Sequence, residues 1–443
     1  FGFALLGFGT KAGIFPFHIW LPYAHPEAPS PVSAVMSGVM IKMGIYGIVR
    51  FLFYLLPSPP AAFGAILLAL GLLSGIFGVL YAILQHDLKR LLAFHSVENV
   101  GIILIGIGAA SLCQVTGRPD AARLLLAGGL FHVLNHATFK ALLFLGAGAV
   151  LQGAHTRNIE KLGGMMRGMP LTGVAFLAGS LAISAVPPFN GFASEFAIYR
   201  GLWTAAGAAG SGGVFLAAMA GLALIGGLAV VCFVKVVGTI FLGNARSSQA
   251  SAARDPSVAM EFPMGTLAIF CLGLGVFPSL VLDRLMEITS FLPSAGVAAA
   301  AAGGKPFTVA IALAIAIGGL SLLRTFLLRR NGQRAGGTWG CGFPYATPRM
   351  QYTAASFADP ILHVFQGILR PHTTRKERLS GRFLLEVEHE THFHDLLENG
   401  LYLPVYRLFV QAAFQARRLH PGYIHLYLAY ILGAVVLLLV FFH

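Results

Sequence analysis

Long apolar stretches without a charged residue dominate this chain and restrict the folds it can adopt. The stretch between Arg50 and Asp87, for example, contains no Lys, Arg, Asp or Glu. A helix needs about twenty apolar residues to cross the hydrocarbon core of a bilayer. A soluble domain of this length could not bury so much apolar surface. The pattern therefore predicts an all-α polytopic membrane protein.

Composition agrees with this class and argues against several others. Hydrophobic residues make up 56% of the 443 residues and charged residues 11%, whereas soluble proteins carry roughly 25% charged residues. The formal net charge of +13 is concentrated in loops and in the long segment before the last apolar run, so it indicates topology and contact with anionic lipids rather than nucleic acid. The four cysteines form no C-x-x-C pair. We expect no redox centre and no cofactor bound by this chain.

Ten apolar runs are candidates for membrane spans. The first begins at Phe1, with no Met and no basic leader, so we expect the chain to start inside a helix of a longer protein. Two runs are too long for straight spans and are expected to tilt, break or extend along the surface. The runs lie near 1–20, 31–56, 61–85, 91–111, 122–152, 170–203, 213–242, 262–282, 306–328 and 423–442.

Basic residues cluster in alternate loops and predict the orientation. The loops after the third, fifth and seventh runs carry most of them, and by the positive-inside rule these loops are cytoplasmic. The segment after the ninth run is basic as well, which places the C-terminus outside. We expect a multi-pass protein of the inner (cytoplasmic) membrane. The loop residues concerned are Lys89, Arg90, Arg157, Lys161, Arg167, Arg246 and Arg254.

Two runs are interrupted by proline in a similar way. Lys11 shortly precedes Pro16 in the first run, and Pro187 and Pro188 shortly precede Glu195 in the sixth. Proline breaks a helix, and freed backbone groups at membrane depth persist only beside protein or water. Two broken helices, each with an ionisable residue, predict an inverted-repeat transporter with two related half-channels.

This pattern divides the chain into five parts. The long part before the last run is basic and proline-rich, and we expect short interfacial helices on the cytoplasmic side there. Its histidines His389, His392 and His394 lack zinc-protease spacing, so a solvated or lipid-facing helix and a structural ion are the alternatives. The parts are 1–60, the end of a first half-repeat; 61–242, a second half-repeat of five helices; 243–328, two peripheral spans; 329–422, the surface segment; and 423–443, the final span.

Ionisable residues at membrane depth indicate a proton path. His132, His136 and Lys140 follow one another at steps of four residues, so they share one helix face and climb about 6 Å per step. Such residues face the protein interior or water, and histidine and desolvated lysine exchange protons near neutral pH. Lys42 and Glu195 join this set. The alternative is that lysine stems reach the membrane interface, and for Lys235 both interpretations stay open.

A second pair lies near the mouth of the fourth run. His95 and Glu98 share a helix face at a spacing of three residues. They either mark the place where protons enter or simply satisfy each other. No nucleophilic triad and no phosphate-binding loop are indicated by this sequence.

Four motifs together resemble the antiporter-like membrane subunits of complex I, membrane-bound nickel–iron hydrogenases and multisubunit cation/proton antiporters. They are KAGIFPFHIWLPYAHPEAPSPVSAVMSGVMIKMGIYG, DLKRLLAFHSVENVG, FHVLNHATFKALLFLGAG and VPPFNGFASEF. HPEAPSPVSAVMSGVMIKMGIYG, HSVENVG and WGCGFPYATPRMQYTAASFADPI are most similar to the large membrane subunits of the hydrogenase-4 and formate hydrogenlyase branch, with an N-terminal truncation of about six helices.

The resemblance implies roles for individual residues. Lys11 matches the lysine of the first broken helix, and Lys42 matches a lysine of the next helix. Glu195 matches the terminal ionisable residue of the second broken helix. The central row of the second half-channel corresponds to His132, His136 and Lys140.

The resemblance also implies a function and partners. It implies a proton-translocating subunit of an oxidoreductase complex, either of the hydrogenase type or of the NADH:quinone oxidoreductase type. Other membrane subunits and a peripheral hydrogenase or dehydrogenase module would be its partners, and these would carry iron–sulfur clusters and nickel–iron. The alternatives are a subunit of a cation/proton antiporter without a redox partner, and a structural membrane anchor.

Overall fold

The computed structural model places helices along most of the chain and divides it into two compact units, Phe1–Ile368 and Leu369–His443. It describes residues 1–56, 59–207, 212–292, 305–331, 342–343, 345, 347–348, 350–369, 372–380, 383–392, 395–417 and 422–441. Within these residues the first unit contains α1 (Gly2–Ala12), α2 (Leu21–Glu27), α3 (Ser30–Leu55), α4 (Ala61–Ile83), α5 (Leu88–Val115), α6 (Pro119–Ala154), α7 (Pro170–Ile183), α8 (Asn190–Ala206), α9 (Gly212–Ile240), α10 (Ser248–Ala252), α11 (Val258–Val276), α12 (Ser279–Ile288), α13 (Lys305–Asn331) and α14 (Ala354–Leu369).

The predicted spans are found where the sequence indicates them. Eight helices among the described residues are long and apolar enough to cross a membrane. Seven of them are α3, α4, α5, α6, α9, α11 and the Thr308–Arg329 part of α13, and the eighth is Ile424–Phe441 in the second unit. The two remaining predicted spans, 1–20 and 170–203, are each divided into two helices, α1–α2 and α7–α8. The prediction of an all-α membrane protein with two broken helices is therefore confirmed.

The first break is stabilised by neighbouring polar groups. α1 ends at Gly13, whose φ of 74° is in the left-handed region that glycine adopts readily. Past the break, the amide of Phe15 donates to Ser74 Oγ on α4 at 3.0 Å. The indole nitrogen of Trp20 donates to the Thr10 carbonyl at 2.8 Å. These bonds satisfy backbone groups that lipid could not satisfy.

The second break lies against another helix. The chain leaves α7 after Ile183 and starts α8 at Asn190, and the turn between them contains Pro187 and Pro188. Gly275 of α11 packs against this turn so closely that a Cβ atom there would lie 2.1 Å from the Pro188 carbonyl oxygen. The proline-containing segment is therefore covered by protein, as a break at membrane depth requires.

Helices α4 and α5 approach each other through glycines, with backbone against backbone. A Cβ atom on Gly101 would lie 2.4 Å from the Gly75 nitrogen and 2.5 Å from the Gly71 oxygen. A Cβ atom on Gly78 would lie 2.6 Å from the nitrogen of Glu98. Small residues permit such close approach of membrane helices, and van der Waals packing is their main source of association. The contact fixes the position of α5, which carries His95 and Glu98.

We expect Gly101→Ala to destabilise the protein strongly. The added methyl group meets backbone atoms, which cannot turn away as a side chain can, so the two helices must separate. Overpacking of this kind costs about 3 kcal/mol. Thermal unfolding of the detergent-solubilised protein measures the effect. Gly227→Ala on α9 is the matched control, because a methyl group added there would meet no neighbouring helix or side chain within 4 Å, and equal melting temperatures for both variants would contradict the packing argument.

The second unit contains a hairpin that the sequence pattern did not suggest. Strands β1 (His372–Ser380) and β2 (Phe383–His392) form an antiparallel hairpin, followed by α15 (Leu403–Arg417) and α16 (Ile424–Phe441). The expectation of short helices throughout 329–422 is therefore incomplete. The backbone register places Lys376 opposite Glu388 and Arg378 opposite Glu386.

The histidines of this segment lie in the hairpin rather than in a helix. His389 and His392 belong to β2, and His394 lies outside the described residues. The expectation of a solvated or lipid-facing helix there is wrong, because this stretch is an extended strand that pairs with β1 in an antiparallel register. Among the described residues, no group of three or more His, Cys, Asp and Glu side chains could hold a metal ion.

Helix α14 is joined to the loops at one end of the first unit. The Ala355 amide at its start donates to Glu160 Oε1 at 2.9 Å, and His86 Nδ1 lies 3.3 Å from the same oxygen. Just before the helix, Gln351 and Asn244 exchange two hydrogen bonds of 2.9 and 3.0 Å. Glu160 thus links α14 to the loop that follows α4.

The Glu160 contact predicts a dependence on pH. Burial raises the pKa of the Glu160 carboxyl, but hydrogen bonds from His86 and from the amides of Ala355 and Ala354 outweigh burial, so the pKa lies below its ordinary value of 4.5. Because the pKa of Glu160 is lowered in the folded protein, its carboxylate fully stabilises the contact with the start of α14 at neutral pH. This stabilisation is lost as the pH falls below 4.5 and through the folded-state pKa.

Hydrogen exchange of the first turn of α14, corrected for the intrinsic rate, measures this effect. We expect protection at pH 7, weaker protection at pH 4, and weak protection at both values in Glu160→Gln. An amide in the middle of α5 serves as the internal control. Unchanged protection of α14 in the variant at pH 7 would contradict the role of Glu160.

Candidate functional site

Helix α6 carries a row of buried ionisable side chains through the centre of the first unit. His132, His136 and Lys140 are each at most 1% exposed. The helix is buried because it packs against α5 on one side and α7, α8 and α11 on others. The row predicted from the spacing of four residues is therefore enclosed by protein rather than lipid.

His132 connects three helices. Its Nε2 lies 3.1 Å from Asn99 Oδ1 on α5, and its Nδ1 lies 2.9 Å from Ser194 Oγ on α8. The Asn99 amide oxygen can only accept a hydrogen bond, so His132 Nε2 is the donor, whereas the Ser194 hydroxyl can donate to Nδ1 or accept from it. The Nδ2 of Asn99 also donates to the His95 carbonyl at 2.8 Å and lies 3.4 Å from Glu98 Oε2. A polar connection therefore runs from α5 through α6 to α8.

Asparagines attach the same row to the second broken helix. Asn135 Nδ2 donates to the Asn190 carbonyl at 2.7 Å and to Ser194 Oγ at 2.9 Å. Asn190 Nδ2 donates to Thr138 Oγ1 at 2.8 Å. Asn190 and Ser194 belong to the first two turns of α8, so the start of this helix is held against the row on α6.

His136 differs from His132 because neither of its ring nitrogens has a hydrogen-bond partner among the described residues. It is fully buried, and the charges of Lys42 and Lys140 both act on it. Buried polar atoms that lack a protein partner are usually satisfied by water. Asn135 Oδ1 and Glu98 Oε1 are buried without such a partner as well, so several polar atoms around the row are available to water.

Lys140 lies at the C-terminal end of the row and contacts α5. Its Nζ donates to the Leu92 carbonyl, and it lies 5.7 Å from the centre of the Phe144 ring. The charge of Glu98 also acts on it. The Leu92 carbonyl cannot neutralise the ammonium group, so its charge state depends on the neighbouring ionisable groups.

His95 and Glu98 are fully buried and are hydrogen-bonded to each other through His95 Nδ1 and Glu98 Oε2. The sequence left open whether the pair loads protons or satisfies itself. His95 also has a side-chain hydrogen bond with Cys232 of α9, whereas Glu98 Oε1 has no partner among the described residues. The Glu98 oxygen is therefore the atom of this pair that is open to water.

Lys42 on α3 belongs to the same buried region. Its Nζ donates to the Ser37 carbonyl, and the hydroxyls of Ser37 and Ser96 lie 2.9 Å apart. Ser96 is on α5, so the hydroxyl pair joins α3 to the helix of His95 and Glu98. The charges of Lys42 and Lys140 act on each other.

Glu195 lies on α8, directly after Ser194, and is 4% exposed. A Cβ atom on Gly226 of α9 would lie 3.9 Å from Glu195 Oε2, so the carboxyl group points towards α9. The hydrogen bonds that start from His132 and Asn135 on α6 reach Ser194, the residue before Glu195.

The remaining two predicted lysines have different surroundings. Lys235 on α9 is 1% exposed, and its Nζ donates to the carbonyls of Ile83 at 2.5 Å and Gln85 at 3.0 Å. Its stem therefore does not reach open solvent. Lys11 is exposed on α1, because Gly44 and Gly47 of α3 pack against Phe8 and Ala12 on another face of that helix. Within this chain Lys11 does not join the buried row.

His25 belongs to the buried region although the sequence analysis did not select it. It is fully buried on α2, and its ring stacks on Phe144 with 4.6 Å between ring centres. Neither ring nitrogen has a partner in the part of the chain that the structure describes, and the charges of Lys140, Lys89 and Lys42 act on it. Its place in a short helix after the first break gave no periodicity that could have identified it.

Comparisons with known proteins place the chain among membrane subunits of several complexes. Residues 1–225 match the family model described as "NADH:quinone oxidoreductase/Mrp antiporter, TM". The chain is 36% identical to hydrogenase-4 component B of Escherichia coli over 99% of its length and 68% of that protein's. It is 37% identical to formate hydrogenlyase subunit 3 of Escherichia coli, over 83% of this chain and 60% of the relative.

A solved structure has the same fold. The membrane-bound sulfane sulfur reductase, an archaeal respiratory membrane complex, contains a chain that matches with a TM-score of 0.75 at 24% identity. The match covers 99% of this chain and 68% of the other.

Proposed function

Because this chain belongs to the NADH:quinone oxidoreductase/Mrp antiporter family of membrane subunits, we propose that its proton path follows the buried row on α6. The chain is an antiporter-like, proton-translocating, multi-pass membrane subunit. The observation that carries the proposed path is the complete burial of His132, His136 and Lys140 along one face of α6, with His132 hydrogen-bonded to Ser194 at the start of α8. The row lies in the protein interior along its whole length.

Protons enter at the His95–Glu98 pair and reach Lys140. Glu98 is close enough for its charge to act on Lys140, so the charge of either group alters the proton affinity of the other. The Oε1 of Glu98, which has no partner within the described residues, accepts and releases protons through water. Lys140 then acts as the temporary store of the proton.

From Lys140 the proton passes to His136 and then His132. His136 has two nitrogens without partners in the described part of the chain, so it can take a proton on one nitrogen and release a proton from the other through water. His132 passes the proton to Ser194, since the hydroxyl lies 2.9 Å from its Nδ1. The serine hydroxyl relays it towards Glu195, the exit group.

Lys42 couples this path to the preceding half-repeat. Its charge acts on Lys140 and His136, so protonation of Lys42 disfavours a second positive charge on the row. Electron transfer in partner subunits would change the protonation of Lys42. The altered charge on Lys42 would then cause the row to release its proton. Lys11, on α1, serves the first half-channel, while Lys235 anchors α9 to the end of α4.

The chain works with other membrane subunits, as its relatives do. We propose that it also serves a peripheral hydrogenase or dehydrogenase module in the inner membrane, with iron–sulfur clusters and nickel–iron in that module. The similarity to hydrogenase-4 component B and formate hydrogenlyase subunit 3 over most of the chain supports this assignment.

Affinity purification of the native membrane complex, followed by mass spectrometry, tests the assignment. Nickel–iron hydrogenase and iron–sulfur subunits in the complex are the expected result. The alternative is a subunit of a cation/proton antiporter without a redox partner, a class that the matched family also includes. Small membrane subunits without a redox protein would favour that alternative and overturn the hydrogenase assignment.

A further inference from the structure

Two adjoining cavities open on the face that the sequence predicts to be cytoplasmic. The larger has a volume of about 550 Å³ and is lined by Arg246, Ser247 and Ser248, among others. The smaller has a volume of about 390 Å³ and is lined by Arg167 and Arg254. Ala245 and Ser251 line both cavities, so the two form one continuous recess, here called the arginine recess.

The arginines of the recess are not paired with carboxylates within the described part of the chain. None of Arg167, Arg246 and Arg254 forms an ion pair with a described carboxylate. The carboxylate of Asp255 accepts hydrogen bonds from the amides of Leu171 and Thr172 at the start of α7, and the charge of Glu160 acts on Arg246. The serine hydroxyls of the recess donate to protein acceptors, so the arginines are the groups that it offers to an anion.

Backbone carbonyls hold two of the guanidinium groups in place. Arg246 donates to the carbonyls of Leu162 and Thr239 at 2.9 Å and to that of Tyr352 at 2.7 Å. Arg254 donates to the carbonyl of Ala253 at 2.8 Å. Neutral carbonyls orient the groups without cancelling their charge, so the recess is preorganised for a ligand with several anionic oxygens.

The apolar surface beside the recess indicates which anion it takes. Helix α7 starts three residues after Arg167 and exposes Leu171 and Val174 within its first two turns. Helix α11 starts four residues after Arg254 and exposes Val258 and Phe262 in the same way. Each arginine thus lies at the water-facing end of a membrane helix whose adjacent turns are apolar and uncovered by the first unit.

We propose that the arginine recess binds the phosphate headgroup of an anionic phospholipid, with the acyl chains along the first turns of α7 and α11. Guanidinium groups bind phosphate oxygens through paired, charge-assisted hydrogen bonds. Basic pockets between membrane helices on the cytoplasmic side select anionic headgroups in this manner. A free phosphate would use the same charges but not the apolar surface. The site is separate from the buried row on α6, so the inference stands without the proposed proton path.

Native mass spectrometry of the full chain, purified in mild detergent, tests the proposal. The protein is exposed to equal amounts of phosphatidylglycerol and phosphatidylcholine, and the retained lipid is counted. We expect at least a tenfold preference for phosphatidylglycerol in the wild type and loss of that preference in the double variant R167Q/R254Q. The charge-retaining variant R167K/R254K should keep most of it. The double variant R50Q/R284Q, which removes the same charge at the opposite face, should behave as the wild type does.

Three outcomes would overturn the inference. Equal retention of phosphatidylglycerol in R167Q/R254Q and R50Q/R284Q would mean that the recess is not the binding site. Equal retention of both lipids by the wild type would mean that the site does not select an anionic headgroup. Displacement of the bound lipid by inorganic phosphate alone, at equal concentration, would mean that the recess binds free phosphate rather than a lipid.

Discussion

Replacing Lys140 with methionine is expected to reduce proton translocation at least tenfold while the protein still folds and assembles. Methionine has a similar volume and length but cannot carry a proton, so the step between the His95–Glu98 pair and His136 is lost. The fold should tolerate the change, because Lys140 forms no ion pair with a described carboxylate and methionine fills a similar volume. The Leu92 carbonyl loses one donor but keeps its place in the helix.

The measurement is the initial rate of proton movement in proteoliposomes that contain the purified complex, divided by the rate of electron transfer. Lys161→Met is the matched control, since Lys161 is exposed in the loop after α6. The control should pump as the wild type does. Wild-type pumping by Lys140→Met, with normal assembly, would exclude Lys140 from the path.

Glu195→Gln is expected to have an effect of similar size at the other end of the path. Glutamine has nearly the same shape and keeps hydrogen-bonding capacity, but it does not take up a proton near neutral pH. A proton that reaches Ser194 would then have no acceptor on α8, so translocation should fall at least tenfold. Glu195→Asp keeps the carboxyl group at a shorter reach and should retain part of the activity.

The same proteoliposome assay distinguishes an exit group from a structural one. Glu287→Gln is the control, because Glu287 is an exposed glutamate on α12. Thermal unfolding should be unaffected by either substitution to within about 1 kcal/mol. Equal activity of Glu195→Gln and Glu195→Asp would contradict a role for the carboxyl group as proton acceptor.

Much of the fold could be predicted because hydrocarbon imposes simple rules on a sequence. Apolar length identified the spans, and prolines identified the breaks at Pro16 and at Pro187 and Pro188. The spacing of four residues placed His132, His136 and Lys140 on one face of α6, and all three are buried. These features depend on local periodicity, which a single sequence records.

Features that depend on contacts between distant segments could not be predicted in this way. His25 is buried because α2 lies beside Phe144, more than a hundred residues later in the chain. Arg167 and Arg254 come together because the loops before α7 and α11 meet. The hairpin of β1 and β2 depends on pairing across strands, and the exposure of Lys11 depends on which face of α1 packs against α3.

The glycine contact between α4 and α5 has a consequence for how access to the path alternates between the two sides of the membrane. Because backbone meets backbone at Gly71, Gly75 and Gly101, α5 cannot slide or rotate against α4 without a clash. Transporters that rock one bundle against another need an interface that can shift. We therefore expect α4 and α5 to move as one body, so that any change of access to the path takes place at other interfaces or through water and side-chain rotation.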